Sequence, residues 1–362
     1  MRKKVGIGLI GTGFARKVQG PAFLECKNAG IVSIASGNID NARTAAAELG
    51  SDHFTDDWRE TVARDDVDLV CITTPPVMHR EMALAALAAG KHVLCEKPMA
   101  MNLSEAQEME AAARSASSLA LIDHELRFQP GRQTAYRMLR SGAIGVVRHA
   151  KAIFQAPHRG DPAVAWNWWS DSATGGGSLG AINSHIIDSF DWLLDTVVQS
   201  VSCQLHTHVK ERRDILGRLR TVTTDDEANM LLRFADSELT SDSTGLVSVS
   251  MTEGPSYRND TYLYGTKGSM RIGHLGEIAI SSDDGGGWAE IAIEVGRPLA
   301  GIADTGFGRA FLQFAPILID AISNGRPTIE HAAVFADGVE VQRVIDAAHL
   351  SDEEGRRIDI KR

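Results

Sequence analysis

The sequence predicts an α/β protein in two domains: a doubly wound parallel sheet first, then an α/β domain on a mostly antiparallel open sheet. Short apolar, β-branched runs of about five residues alternate with Ala-rich helical patterns through the first third. After about residue 125 the pattern changes to runs with every second residue apolar, joined by turns. The length of 362 residues suits about two domains, each able to bury its own core. We place the boundary there, giving domains at 1–125 and 126–362. Hydrophobic residues make up 43% and charged residues 23%, a globular balance that sets disorder aside.

The first-domain strands read as Val5–Ile10, Ile31–Ala35, Leu69–Thr73, His92–Cys95 and Leu119–Ile122. Helical patterns occupy 41–49, 79–89 and 104–116. Gly50 and Gly90 stand where a left-handed residue closes a helix, and Ser104 with Gln107 has capping-box spacing. Strands separated by helices require βαβ crossovers, hence parallel strands with helices on both faces. In the second domain Val201, Cys203, Leu205 and Thr207 alternate with Ser202, Gln204, His206 and His208. Further strands read at Glu227–Phe234, Leu246–Met251, Tyr262–Tyr264, Ser269–Ile272 and Ile278–Ser281, and a turn at Asp283–Gly287 leads into Ala289–Val295. Helices read at 182–194, 308–323 and 331–349.

Charge narrows the function classes. With 37 Lys+Arg against 47 Asp+Glu, a net charge of −10, and no long basic block, neither nucleic acid nor an anionic membrane surface is the expected partner. The densest basic run, Lys210–Arg213, reads as a solvated strand end. No apolar run reaches the roughly 18 residues that span a bilayer. Arg2-Lys3-Lys4 before an apolar stretch imitates a secretory leader, but Gly6, Gly8, Gly11 and Gly13 break that stretch into a strand and turn. Cys26, Cys71, Cys95 and Cys203 lack metal spacing and read as thiols of a reducing compartment. The expected location is the cytoplasm.

Gly11-Thr12-Gly13-Phe14 follows the first strand and opens a helix. The first glycine permits the tight turn, and the second lets the backbone approach a pyrophosphate at the helix N-terminus. The usual third small residue is replaced by Arg16, with Ala15 one place earlier. Where NAD-binding chains place an acid for the ribose 2′-hydroxyl, the second strand ends in Ser36-Gly37-Asn38, and the nearest acid is Asp40. Removing that charge admits a 2′-phosphate, for which Ser36, Asn38 and Arg43 offer hydrogen bonds. This favours NADP and leaves NAD open.

Glu96-Lys97-Pro98 ends a parallel strand, and Thr73-Thr74-Pro75-Pro76 with His79 occupies the same edge one strand earlier, where ligands bind open α/β sheets. A lysine there can hydrogen-bond a hydroxyl or carbonyl and stabilise alkoxide charge; its plain alternative is a surface lysine before a turn proline. In the second domain Gly175-Gly176-Gly177 leads into a helix carrying His185 and Asp188. The intrinsic pKa of a histidine suits proton transfer near neutrality, although a packed histidine is the commoner case. Trp166, Trp168 and Trp169 suit either a core or the apolar face of a nicotinamide or sugar. His206 and His208 share a strand face without a third ligand nearby, so no metal is expected.

Together these motifs resemble the Gfo/Idh/MocA family of pyridine-nucleotide oxidoreductases. The resemblance runs through Ile10-Gly11-Thr12-Gly13-Phe14, Thr74-Pro75-Pro76 with His79, and the highly specific Ala89-Gly90-Lys91-His92-Val93-Leu94-Cys95-Glu96-Lys97-Pro98. It continues through Arg127-Phe128 with Pro130, Gly142-Ala143-Ile144-Gly145, the glycine run ending in His185, and Gly265-Thr266-Lys267-Gly268-Ser269. It implies a Rossmann domain, then an α/β domain whose open sheet commonly packs between subunits of a homodimer or homotetramer. It also implies hydride transfer between NAD(P) and a secondary alcohol or ketone of a sugar, an inositol-like polyol or a related carbohydrate.

The family's lysine falls on Lys97 and its histidine on His185. Lys97 is expected to orient and polarise the oxygen, and His185 to act as acid or base. The family often has an Asp four residues before that histidine; here the position holds Ala181, and Asn183 replaces a frequent Gly. Expected cofactor contacts are Gly11, Thr12, Gly13, Phe14, Ser36, Gly37, Asn38, Arg43, Thr73, Thr74, Pro75, His79, Glu96, Lys97 and Trp168. Around the sugar stand Lys97, Arg127, His158, Arg159, Trp166, Trp169, Asn183 and His185. Two other readings accompany the resemblance: a glycosidase that retains NAD for transient oxidation, and a non-catalytic dinucleotide or sugar sensor.

Overall fold

Apolar residues on both sides of a strand demand cover on both faces, and the first sheet is built from such strands. In a computed structural model, which describes residues 4–282, 286–299 and 304–362, they are Val5–Ile10 (β1), Ala29–Ala35 (β2), Phe54–Thr55 (β3), Leu69–Ile72 (β4), His92–Cys95 (β5) and Ala120–Ile122 (β6). All pair in parallel, in the order β3-β2-β1-β4-β5-β6. Every residue of β1, β4 and β6 is buried. Strand order reverses between β1 and β4, so the crevice at their carboxyl ends is where a dinucleotide binds in such sheets. The expected turn residues Asp283, Asp284 and Gly285 lie outside the described residues.

Helix ends follow local chemistry. Asn38 caps the helix Ile39–Leu49, and Gly50 closes it at φ 70°. The capping box expected at Ser104 and Gln107 falls two residues earlier: the Asn102 side chain accepts from Glu105 N at 3.0 Å, and Glu105 Oε2 accepts from Met101 N at 3.1 Å. An asparagine directly ahead of the helix reaches its free N–H groups first.

The described residues divide into two compact units, Met1–Phe128 with Gly296–Val339, and Gln129–Val295 with Glu340–Arg362. The chain leaves the first unit three residues beyond the expected boundary. Residues 296–339, read from sequence as part of the second domain, belong to the first. The reason is packing. The helix Gly306–Ser323 puts Phe311, Phe314, Ala315, Leu318 and Ile319 into one core with Val5, Ile7, Leu9, Ile31, Leu69 and Phe128. Phe314 stacks on Phe128 at 4.4 Å, and Phe311 meets Phe23 edge-on at 5.4 Å. Ala333 O accepts from Ile122 N at 2.9 Å, so the returning chain also closes the β6 edge.

The second unit is built on a nine-stranded sheet. Its strands are Val147–Gln155 (β7), Val198–His206 (β8), Glu227–Phe234 (β11), Thr240–Ser250 (β12), Arg258–Gly265 (β13), Gly268–Ile272 (β14), Ile278–Ser282 (β15), Ala289–Ile291 (β16) and Ile358–Asp359 (β17). A separate hairpin of Glu211–Arg213 (β9) and Leu219–Thr221 (β10) accompanies it. The order is β16-β15-β14-β13-β7-β12-β11-β8-β17, antiparallel except for β7 beside β12. Helices Pro130–Arg140 and Ser184–Leu194 belong to the same unit. β7 and the first of these helices are not apparent in the sequence. Two of β7's inward positions are only Ala150 and Ala152, which gives a weak apolar alternation. β8 ends at His206, so His208 lies beyond the strand. Among the described residues no helix is long and apolar enough to cross a membrane, and all four cysteines are free thiols.

If the late helix completes the first core, Phe311→Ala, at a fully buried site, costs about 3–5 kcal/mol. Native-state hydrogen exchange checks it: amide protection in β1 and β4 drops with global stability, whereas unchanged protection there would contradict the shared core.

Candidate functional site

The first unit's carboxyl edge begins at the glycine turn. Gly11 has φ 99°, and a Cβ there would lie 2.6 Å from Thr73 O and Oγ1, so only glycine fits. At Gly13 and Gly37 an added Cβ meets nothing within 4 Å, leaving both backbones open to a close ligand. Residues Ala15–Gln19 form a π-turn before the helix Gly20–Leu24. Arg16 pairs with Glu48 at the surface. Tight packing passes to Gly20, whose Cβ would come 2.6 Å from Leu49 Cδ1.

The partly buried Phe14 ring packs on the core, 6.4 Å from Phe311 and edge-on to it. Thr12 Oγ1 lies 3.4 Å from Ser36 Oγ. Asn38 caps the following helix through Oδ1, which accepts from Asp40 N and Asn41 N at 2.9 and 3.2 Å while its donor Nδ2 takes no part in that cap, and Arg43 Nη1 pairs with Asp40 at the surface. An open glycine turn, two hydroxyls and the reversal of strand order together fit a dinucleotide.

One strand further, Thr73 N donates to Ile10 O at 2.7 Å, and the Thr74 hydroxyl contacts Met82 Sδ at 3.5 Å. Pro75 precedes the short helical turn Pro76–Met78 that delivers His79. The His79 ring is buried between Thr74 O, 2.8 Å from Nε2, and Pro98 O, 3.0 Å from Nδ1. It ties the Thr74-Pro75 turn to the Lys97-Pro98 turn. Burial holds this imidazole below its ordinary pKa.

Lys97 is about one-fifth exposed, with Nζ 4.0 Å from Glu96 Oε2. Because Cys95 and Ile122 are in register, the next residues, Glu96 and Asp123, come side by side, both buried. Gln19 Nε2 donates to Asp123 Oδ2 at 2.7 Å and to Glu96 Oε1 at 3.3 Å. Each carboxyl group acts on the ionisation of the other. Burial raises both pKa values. Asp123 is also raised by the charges of Glu125 and Glu96, whereas the Lys97 ammonium opposes the rise at Glu96. Two touching carboxyls in a dry site cannot both ionise. Asp123 therefore keeps the proton, and Glu96, facing the ammonium, is the anion. Arg127, expected near the sugar, is buried with Asp337 Oδ1 3.5 Å from Nη2.

In the second unit a π-turn, Leu179–Asn183, leads into Ser184–Leu194, whose first turn carries the buried His185. Asn183 is fully buried, and neither its Oδ1 nor its Nδ2 has a hydrogen-bond partner. The approach to this helix is held by Asp225, which accepts from Ser178 Oγ and from Leu179 N. Asp188, one turn beyond His185, is buried and acts electrostatically on Arg132. Burial pulls Arg132 down to about 10.

Two more buried arginines fix the loop before the glycines. Arg212 donates to Asp161 O at 2.7 Å, to Val164 O at 3.2 Å and to Arg159 O. Arg159 lies 3.8 Å over the Trp169 ring and donates to Ser170 Oγ at 2.9 Å. Trp166 donates from Nε1 to Thr221 O at 3.0 Å beneath Arg220. Trp168 is 41% exposed. His158 is exposed, and its pKa is lowered by partial burial and by the charges of Arg159 and Arg212.

Gln19, Asp123, Asp225 and Arg212 are absent from the expected site. The acid pair had a readable signal, since Glu96 and Asp123 each directly follow an apolar strand. Gln19 had none, because the π-turn shifts helical phase by a residue.

Comparison with known proteins places these features. The profile of an oxidoreductase family with an NAD-binding Rossmann fold matches residues 5–124, and that of the GFO/IDH/MocA C-terminal domain matches 132–271. An uncharacterised oxidoreductase of Synechocystis is 32% identical over 74% of this chain and 71% of its own length. The levoglucosan dehydrogenase of Pseudarthrobacter phenanthrenivorans is 29% identical over 95% of each chain. A levoglucosan dehydrogenase solved with NADH and L-sorbose superposes with a TM-score of 0.88 at 26% identity, covering 99% of this chain and 100% of that one.

The charge state of Asp123 has a thermodynamic signature. Its native pKa lies above the unfolded value, so between the two the native state binds the extra proton and stability falls as pH rises. Asp123→Asn cannot ionise. The variant should match the parent below about pH 4 and exceed its melting temperature by a few degrees at pH 7. Parallel melting curves from pH 4 to 8 would mean that Asp123 is ionised.

Proposed function

We propose that this chain, which belongs to the Gfo/Idh/MocA oxidoreductase family, is a nicotinamide-dependent dehydrogenase interconverting a secondary alcohol and a ketone on a sugar or polyol. The observation that carries the proposal is Lys97 beside the buried Glu96 carboxylate, on the sheet edge that begins at the open Gly11-Thr12-Gly13 turn. Bound NAD(P) would supply the hydride acceptor or donor. The Lys97 ammonium hydrogen-bonds the substrate oxygen and stabilises negative charge as it develops. His185 takes the hydroxyl proton in oxidation and returns it in reduction. With Ala181 in place of the family's frequent Asp, proton transfer rests on these two residues.

NAD(H) is the cofactor we favour, because a levoglucosan dehydrogenase of this fold is solved with NADH. The absence of an acid at Ser36-Gly37-Asn38 supports NADP(H) as the second choice. Calorimetric titration with NADH and NADPH decides between them. We further propose that the open face of the second sheet, where Leu231 is 61% exposed, joins copies of the chain into a homodimer or homotetramer. The four free thiols accord with a reducing compartment such as the cytoplasm. Ala181 also favours one other reading, a sensor that binds dinucleotide and turns nothing over.

A panel of levoglucosan, aldoses, ketoses and inositols, assayed by NADH absorbance, tests the activity. With any substrate found, Lys97→Met should abolish measurable turnover while NADH affinity is retained, and His185→Gln should lower kcat by about 10²–10⁴. Full turnover in Lys97→Met would overturn the assignment.

A further inference from the structure

The buried pair beneath Lys97 has no place in hydride or proton transfer as proposed, yet it is built with care. Gln19 comes from the π-turn after the glycine turn, Glu96 from the end of β5 and Asp123 from the end of β6. One carboxamide nitrogen donates to both acids, at 2.7 and 3.3 Å. Gln19 and Asp123 are wholly inaccessible, and Glu96 nearly so. Gln19 Oε1 and Asp123 Oδ1 have no hydrogen-bond partner, a cost that an ordinary core would avoid with apolar side chains.

The surroundings show what this arrangement does. The titratable groups acting on the pair are Glu125, Lys97 and the buried thiols of Cys71 and Cys95, both pushed well up by burial and therefore neutral. Lys97 is the only cation among these groups. We propose that Asp123 is a positioning residue for Lys97: as a neutral acid it donates to Glu96 and, with Gln19, fixes that carboxylate as the single anion anchoring the Lys97 ammonium. This rests on the catalytic reading of Lys97 given above. A neutral donor holds Glu96 without placing a further negative charge beside the one that faces the ammonium. A carboxylic acid kept protonated to donate a hydrogen bond is an established device at enzyme sites.

The test needs neither substrate nor turnover. An amine is acylated only as the free base, so a lost counter-anion speeds the reaction. Competitive acetylation of the full-length protein by acetic anhydride at pH 8, read by mass spectrometry against the other lysines, reports the Lys97 rate. Asp123→Ala and Glu96→Gln should each raise it at least about threefold. Asp123→Asn, which keeps a donor toward Glu96, should restore the parent rate. An unchanged rate in Asp123→Ala, or an Asn variant as fast as the Ala variant, overturns the positioning role. Should Asp123→Ala fail to fold, the isosteric Glu96→Gln and Asp123→Asn variants decide it: no rise in the first, or a rise in the second, refutes the proposal. Once a substrate is found, Asp123→Ala should lower kcat and leave the KM for NADH unchanged. A labelling response in a protein that turns nothing over would leave the cluster established and the dehydrogenase reading refuted.

Discussion

The aromatic ring of Phe311 is the contact on which the first unit's site depends. It lies edge-on to Phe14, at the end of the glycine turn, and to Phe23, in the helix that follows. Its neighbour Phe314 stacks on Phe128, the last residue before the chain leaves the unit. A parallel sheet apolar on both faces has no stable form with one face bare. The late helix therefore does more than fill space. By seating Phe14 it sets where Gly11 and Gly13 present their backbone, and by backing β1 it holds the edge that carries Thr73, Glu96 and Lys97.

Charge burial at that edge follows a different economy from that in the second unit. Beneath Lys97, two buried carboxyls share one carboxamide donor, with the ammonium 4.0 Å from Glu96 Oε2. In the second unit the buried cations are arginines, and Arg212 is held through its two terminal nitrogens by three backbone carbonyls in place of a carboxylate, its Nε without a partner. Guanidinium geometry suits that task, since its fixed fork can hold several carbonyls of one loop at once. Both arrangements leave buried polar atoms without partners, Gln19 Oε1 and Asp123 Oδ1 in the first and Arg212 Nε and Arg159 Nε in the second, but only the second knits a loop together.

Much of this was legible in the amino-acid sequence, and the limits have physical causes. Five strands of the first sheet, the glycine turn and the Glu96-Lys97-Pro98 edge can be read because period and position are local properties. The return of residues 296–339 could not, since an amphipathic helix shows that it has a buried face but not what buries it. Asn38 and Arg43, read from sequence as ribose-side donors, also serve the helix they begin, Asn38 by capping it and Arg43 by pairing with Asp40. The packing of the Phe14 ring was not legible for a similar reason, its partner being a phenylalanine almost 300 residues away. Gln19 was invisible because a π-turn breaks the phase on which helical reading relies. Asn183, singled out from sequence, proved to be the buried amide without partners, although its position gave no hint of that isolation.

The division of the first unit into Met1–Phe128 and Gly296–Val339 also governs how the protein can be made. A ribosome delivers the six strands first and the helix that covers them only after the intervening second unit. At roughly 5–20 residues per second the wait is on the order of 10–30 s. Through that interval the second unit can fold from a nearly complete segment, while the nascent first sheet keeps an apolar face exposed. The unit begun first thus waits for its cover while most of the second is made. The nascent chain is most exposed to aggregation, and most in need of a chaperone, while its cofactor-binding half is the part already made.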